Sequence, residues 1–155
     1  MLSRTWLTII AGVVILGLGL GLGLGLGLRG GGGGGGVGLS SPTATAESFL
    51  DAGEQKDADR MADCCQFPLT YQHFDYDRAE FIVAMNGGFA VIESIVISNL
   101  NVNVNAQNET AATVEASYHQ RTVLIDKTIQ EHDLTQTFEM QKTGDNWYIV
   151  DTWAA

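Results

Sequence analysis

The sequence predicts an α+β layer fold, with three helices followed by a four-stranded antiparallel meander, set behind an N-terminal membrane span. Three observations predict it. Residues 6–28 carry no charge. After Gly88 the apolar period changes from helical to two. A turn centred on Gly144 and Asp145 pairs Met140 with Ile149, Phe138 with Asp151, and Gln136 with Trp153, and all six read as inward-facing.

Composition divides the chain near Ser40. Most of the 19 glycines lie before it, and only Gly53, Gly87, Gly88 and Gly144 follow. Arg4 and Arg29 are the only side-chain charges before it. The rest therefore carries all 18 acids against six of the eight bases. A domain this acidic is poorly suited to phosphate backbones, so no nucleic-acid partner is expected.

Residues 6–28, at about 1.5 Å each, are long enough for a bilayer core of about 30 Å. The G-L alternation looks like a strand, but a lone strand in lipid leaves its backbone unpaired, so a helix is expected. Trp6 stands at the interfacial position, and Arg4 and Arg29 bracket the segment. As a helix it aligns Gly17, Gly21 and Gly25 on one ridge, a close-packing pattern. The apolar region exceeds that of a cleaved signal peptide, so residues 1–28 read as an uncleaved signal anchor. Residues 29–40 form a glycine-rich linker, and residues 41–155 form the domain.

Ser41 and Pro42 read as N-cap and first turn of a helix carrying Ala46, Phe49 and Leu50. Asp57 caps a second, in which Ala58, Met61 and Cys65 share a face. Adjacent Cys64 and Cys65 would form a strained disulfide, so they read as small buried hydrophobes. Pro68 makes the next segment extended, with Phe67, Leu69, Tyr71 and His73 on one side. Asp77 with Glu80 forms a capping box opening a third helix, which Gly87 and Gly88 end.

In the strands, Ile92, Val96, Leu100, Val102 and Val104 are expected inward, leaving Ile95 and Ile97 on the sheet back as a dimer surface. The next strand turns Ala112, Val114, Ala116 and Tyr118 inward and His119 and Arg121 outward. Leu134, Gln136, Phe138 and Met140 follow, then Trp147, Ile149, Asp151 and Trp153. His132, with Glu131 and Asp133, falls in a connection between strands. Three consecutive loop residues make poor ligand geometry, so no metal is expected.

The order of these elements, with "AESFLDAGEQKDADRMADC" and the closing "GDNWYIV", resembles the nuclear transport factor 2-like superfamily. The resemblance covers roughly residues 43–154. It implies a cone: three helices on a curved antiparallel sheet of about four to five strands, with a pocket at the open end. The superfamily includes ketosteroid isomerases, polyketide-cyclase-like enzymes and non-enzymatic modules, and its sheet backs often pair in dimers.

Candidate chemistry lies on the inward faces. Asp151, partly desolvated, is the candidate proton-transfer base; His73 is its acid partner and Tyr118 completes the catalytic set. Tyr71, Gln136, Phe138, Trp147 and Trp153 would line the pocket. The isomerase pattern expects a tyrosine in helix one, and "AESFLDAGEQ" has none. The expected function is therefore a membrane-tethered extracytoplasmic domain, a single-pass protein of the cell membrane, that binds or assembles without catalysis. Two alternatives stay open: a small pocket enzyme of the isomerase or cyclase type using Asp151 and His73, and a small-ligand binder. No cofactor is expected; a homodimer, through the sheet back or the span, and an unidentified protein or small-molecule ligand are the expected partners.

Overall fold

The computed structural model describes residues 38–155. The expected membrane span, and all but the last three residues of the expected linker, lie outside them. Among the described residues no helix is long and apolar enough to cross a membrane.

The described residues form three helices and one six-stranded mixed sheet. The elements are α1 (Pro42–Glu54), α2 (Ala58–Asp63), β1 (Cys65–Tyr71), β2 (Phe74–Tyr76), α3 (Arg78–Phe89), β3 (Ile92–Gln107), β4 (Ala111–Leu124), β5 (Ile129–Thr143) and β6 (Asn146–Ala154). The strand order is β2-β1-β6-β5-β4-β3. The sheet is thus larger than the expected four to five strands and not wholly antiparallel, because β1 lies parallel to β6. The extended segment around Pro68 joins the sheet as β1.

Local sequence accounts for the helix starts. Ser41 Oγ accepts from the Ala44 amide at 3.1 Å. Asp57 Oδ1 accepts from the Arg60 amide at 3.1 Å. Asp77 and Glu80 form the reciprocal capping box. Each cap satisfies an amide that the helix itself cannot, worth about 1 kcal/mol. The third helix does not stop at Gly87 and Gly88; it runs through them to Phe89. Cys64 and Cys65 are buried free thiols. Burial lifts the Cys64 thiol to about 12, with the Asp63 charge adding to the rise, so it stays protonated and unreactive at neutral pH.

The helices cover one face of the sheet. Phe49 and Leu50 of α1, Met61 of α2 and Phe81 and Met85 of α3 pack there against Leu69, Ile97, Val114, Phe138, Met140 and Ile149. Phe49 meets Phe138 edge-on, with centroids 5.7 Å apart.

Bulges decide which residues reach this core. In β3 the register against β4 shifts between Ile92 and Ser94 and again between Ser98 and Asn101. Asn99 has φ 55 at the second shift, a left-handed conformation that asparagine tolerates better than most residues. Between the two shifts the phase is reversed. Ile95 and Ile97 therefore point to the helices and are 3% and 0% exposed, while Val96 is exposed. They cannot form the expected dimer surface on the sheet back. Past Asn99 the original phase returns: Val102 stands opposite Ala116, and Val104 opposite Val114.

A further shift separates Glu139 from Met140 opposite β6. Met140 faces Ile149 as expected, but Phe138 faces Thr152, Gln136 faces Ala154, and Asp151 faces Glu139. One residue of bulge has exchanged Thr152 for Asp151 on the core face.

Candidate functional site

The helix-covered face holds a polar chain. Tyr118 of β4 donates its hydroxyl proton to Gln136 Oε1 of β5 at 2.9 Å. Gln136 Nε2 donates to Thr152 Oγ1 of β6 at 2.9 Å. Thr152 Oγ1 in turn donates to the Thr137 carbonyl at 2.8 Å. Tyr71, Tyr118, Gln136 and Thr152 are all at most 3% exposed. Burial raises the ionisation of Tyr71 and Tyr118 well above the ordinary tyrosine range. These phenols are neutral donors inside a packed layer. Trp147 is buried at the start of β6, where its carbonyl accepts from Thr45 of α1 at 2.9 Å.

Asp151 and His73 lie elsewhere. His73 and Gln72 form the two-residue turn between β1 and β2, with φ 69 and 49. Two successive positive φ values describe a type I′ hairpin turn, usually built with Asn or Gly. His73 is thereby exposed instead of facing the core with Leu69 and Tyr71. Its ring stacks on Trp153, centroids 6.4 Å apart and 28° from parallel. Trp153 is opposite Thr137, on the face away from the helices.

Asp151 shares that outer face. It stands between Thr70 of β1 and Glu139 of β5, and its Oδ1 is buried without a hydrogen-bond partner. Burial raises its pKa; nearby His73 opposes the rise, and the charges of Glu139 and Asp75 add to it. The structure thus brings Asp151, His73 and Trp153 together on one face. It leaves Tyr118, Tyr71, Gln136, Phe138 and Trp147 on the other.

A second cluster on the outer face was not visible in the sequence reading. Glu131 and Asp133 belong to β5, not to a connection, and stand opposite Arg121 and His119. His119 Nδ1 is 2.8 Å from Asp133 Oδ1, and Nε2 is 3.3 Å from Glu131 Oε1. With Asn99, Ser117 and Thr135, His119 and Asp133 border an open recess of about 270 Å³. Extending the strand back to Ile129 would have revealed it, because residues 131 and 133 then alternate in phase with 119 and 121. Among the described residues, no three or more His, Cys, Asp or Glu side chains come together as a metal-binding group.

The hydrogen bonds to Asp133 and then Glu131 raise the pKa of His119. Its stabilising contribution is complete below the unfolded histidine value and is lost as pH rises through the folded value. An NMR pH titration should place the His119 midpoint above 6.5, and Asp133→Asn should lower it. An unmoved midpoint in that variant would remove Asp133 as the cause.

No protein-family model matches the chain, and no curated protein matches it. Solved structures do. The chain is similar to a candidate aromatic ring hydroxylase from Novosphingobium aromaticivorans, with TM-score 0.64 and 14% identity over 72% of this chain and 83% of that one. It is similar to a ketosteroid isomerase-like protein from Erwinia carotovora atroseptica, with TM-score 0.62 and 11% identity over 75% and 93%. It also matches a nuclear transport factor 2-like superfamily protein from Salmonella enterica serovar Typhimurium, with TM-score 0.57 and 15% identity over 73% and 86%. At such identities the likeness concerns fold alone. Three helices on one face of this six-stranded sheet, matched over most of these chains, give the described residues a nuclear transport factor 2-like fold.

Proposed function

We propose that this chain is a non-catalytic binding or assembly module, held at the cell membrane by its N-terminal segment with the acidic domain outside. The observation that carries the reading is the division of the polar groups. An acid–base pocket in the cone would need a carboxylate beside the inward tyrosines. Here Thr152 occupies that position, its hydroxyl is engaged, and Asp151 is on the opposite face. The tether rests on residues 6–28, uncharged and long enough to span. Names among the matched structures run from a candidate dehydratase to a candidate calcium/calmodulin-dependent kinase II association domain, so fold alone favours neither catalysis nor assembly.

A thermal-shift titration of the full chain in detergent, against apolar ketones and phenols, tests whether the helix-covered face takes a ligand. No saturable shift is expected. A saturable shift that Tyr118→Phe removes would sink the reading in favour of a pocket enzyme or binder. Protease treatment of spheroplasts tests the topology: the acidic domain should be digested from outside, and a protected domain would reverse the orientation.

The second reading, a small-ligand binder, is favoured by the outer recess beside His119. Its hydroxyls at Ser117 and Thr135 and its carboxylate at Asp133 suit a small polar or cationic ligand.

A further inference from the structure

β3 is the last strand on its side of the sheet, and at 16 residues it is long for an edge. Every second residue of such a strand turns its N–H and C=O away from the sheet, a template for another strand. The protein covers the first half of this edge. Lys56 Nζ donates to the carbonyls of Ile92 and Glu93 at 3.1 and 3.2 Å. Glu54 Oε2 accepts from the Ile97 amide at 3.1 Å. The cover reaches as far as Ile97, just before the bulge at Asn99.

Beyond Asn99 the strand is different. Asn101, Asn103, Val104 and Asn105 are exposed. Between Glu93 and Glu109 the sequence has no charge, in a chain with 18 acids. It has no proline or lysine there either, the residues that usually blunt an edge. A register shift between Val104 and Ala106 ends the regular stretch, which runs from Asn101 to Val104; with Leu100 before it, this makes a neutral, five-residue edge.

The order of side chains in this stretch is nearly its own reverse. Residues 99–105 read N-L-N-V-N-V-N. Turned antiparallel about Val102, they place Asn99 opposite Asn105, Leu100 opposite Val104, Asn101 opposite Asn103, and Val102 opposite itself. A two-fold axis perpendicular to the sheet keeps each residue on its own face. Asparagines then meet asparagines on the outer face and apolar residues meet on the helix side, the like-with-like pairing that stabilises sheets. A two-fold contact must be self-complementary in this way. Charge points to the same occupant: two copies of an acidic domain repel wherever carboxylates meet, and this neutral edge lets them approach.

We propose that residues 100–104 of β3 pair antiparallel with the same residues of a second copy, joining two six-stranded sheets edge to edge. The inference rests on the assembly-module reading and gives it a partner and a contact.

The test uses the full chain in detergent. Sedimentation should show a dimer. Asn103→Lys and Val104→Lys, both at exposed positions, should each weaken it at least about tenfold, the first by setting two like charges diagonally across the axis and the second by setting a charge against the second copy's Leu100. Mild oxidation of Val102→Cys should give a crosslinked dimer, and Thr113→Cys, away from this edge, should not. Circular dichroism of each variant checks that the fold persists. A monomeric wild-type chain overturns the proposal. So does a dimer that both lysine variants leave intact, because another contact, such as the N-terminal segment, would then hold it. The two readings fail separately: a monomer that binds no ketone or phenol loses only the edge pairing, whereas Tyr118-dependent binding by an edge-paired dimer loses only the non-catalytic reading.

Discussion

Phe138→Ala should cost about 3–5 kcal/mol, the largest effect of any single change considered, measured by urea unfolding followed through tryptophan fluorescence. Phe138 is fully buried at the centre of β5. Val114 and Thr152 hold its backbone from either side, and Phe49 closes over its ring. Truncation removes the apolar contacts and leaves a cavity, because a strand hydrogen-bonded on both edges cannot move inward to fill it. Domains of this size are stable by only about 5–15 kcal/mol in all. The melting temperature should therefore fall by more than about 10 °C. A loss below about 1 kcal/mol would mean that the ring is not packed as described.

Gln136→Leu should cost about 1–3 kcal/mol for a different reason. Leucine fills nearly the same space, so little cavity arises. What is lost is the acceptor for the Tyr118 hydroxyl and the donor to Thr152. Thr152 retains the Thr137 carbonyl. Tyr118→Phe removes the hydroxyl that Gln136 serves, so the double variant should cost less than the sum of the two singles. A coupling of about 1 kcal/mol is expected from the cycle. Strict additivity would show that the two side chains do not interact in solution.

Sequence revealed what is local. Ser41, Asp57 and Asp77 announce helix starts because a cap acts within three residues of itself. The inward faces of β4 and β5 could be read because neither strand changes phase between Ala112 and Tyr118 or between Leu134 and Phe138. The bulges hid the rest. Each moves the face assignment by one residue without a composition cue: Asn99 looks like its neighbours Asn101 and Asn103. That is why Ile95 and Ile97 were expected outside and Asp151 inside. The parallel pairing of β1 with β6 was equally hidden, since it joins segments some eighty residues apart and no turn connects them. Of the three pairs that the turn at Gly144 suggested, Met140 with Ile149 survives, in one register with the three pairs nearer the turn; the bulge at Glu139 displaces the other two.

The chain enters the described domain through a small clasp. Gly38 and Ser48 exchange two hydrogen bonds, at 3.0 and 3.1 Å, and the Leu39 carbonyl accepts from the Trp147 amide at 2.8 Å. Two of these bonds end on Ser48 of α1 and the third on Trp147 at the start of β6, so the clasp ties the entering chain to both a helix and the sheet. Residues 38–40 thus fix the direction in which the chain meets the domain, through bonds that a substitution at Ser48 would release.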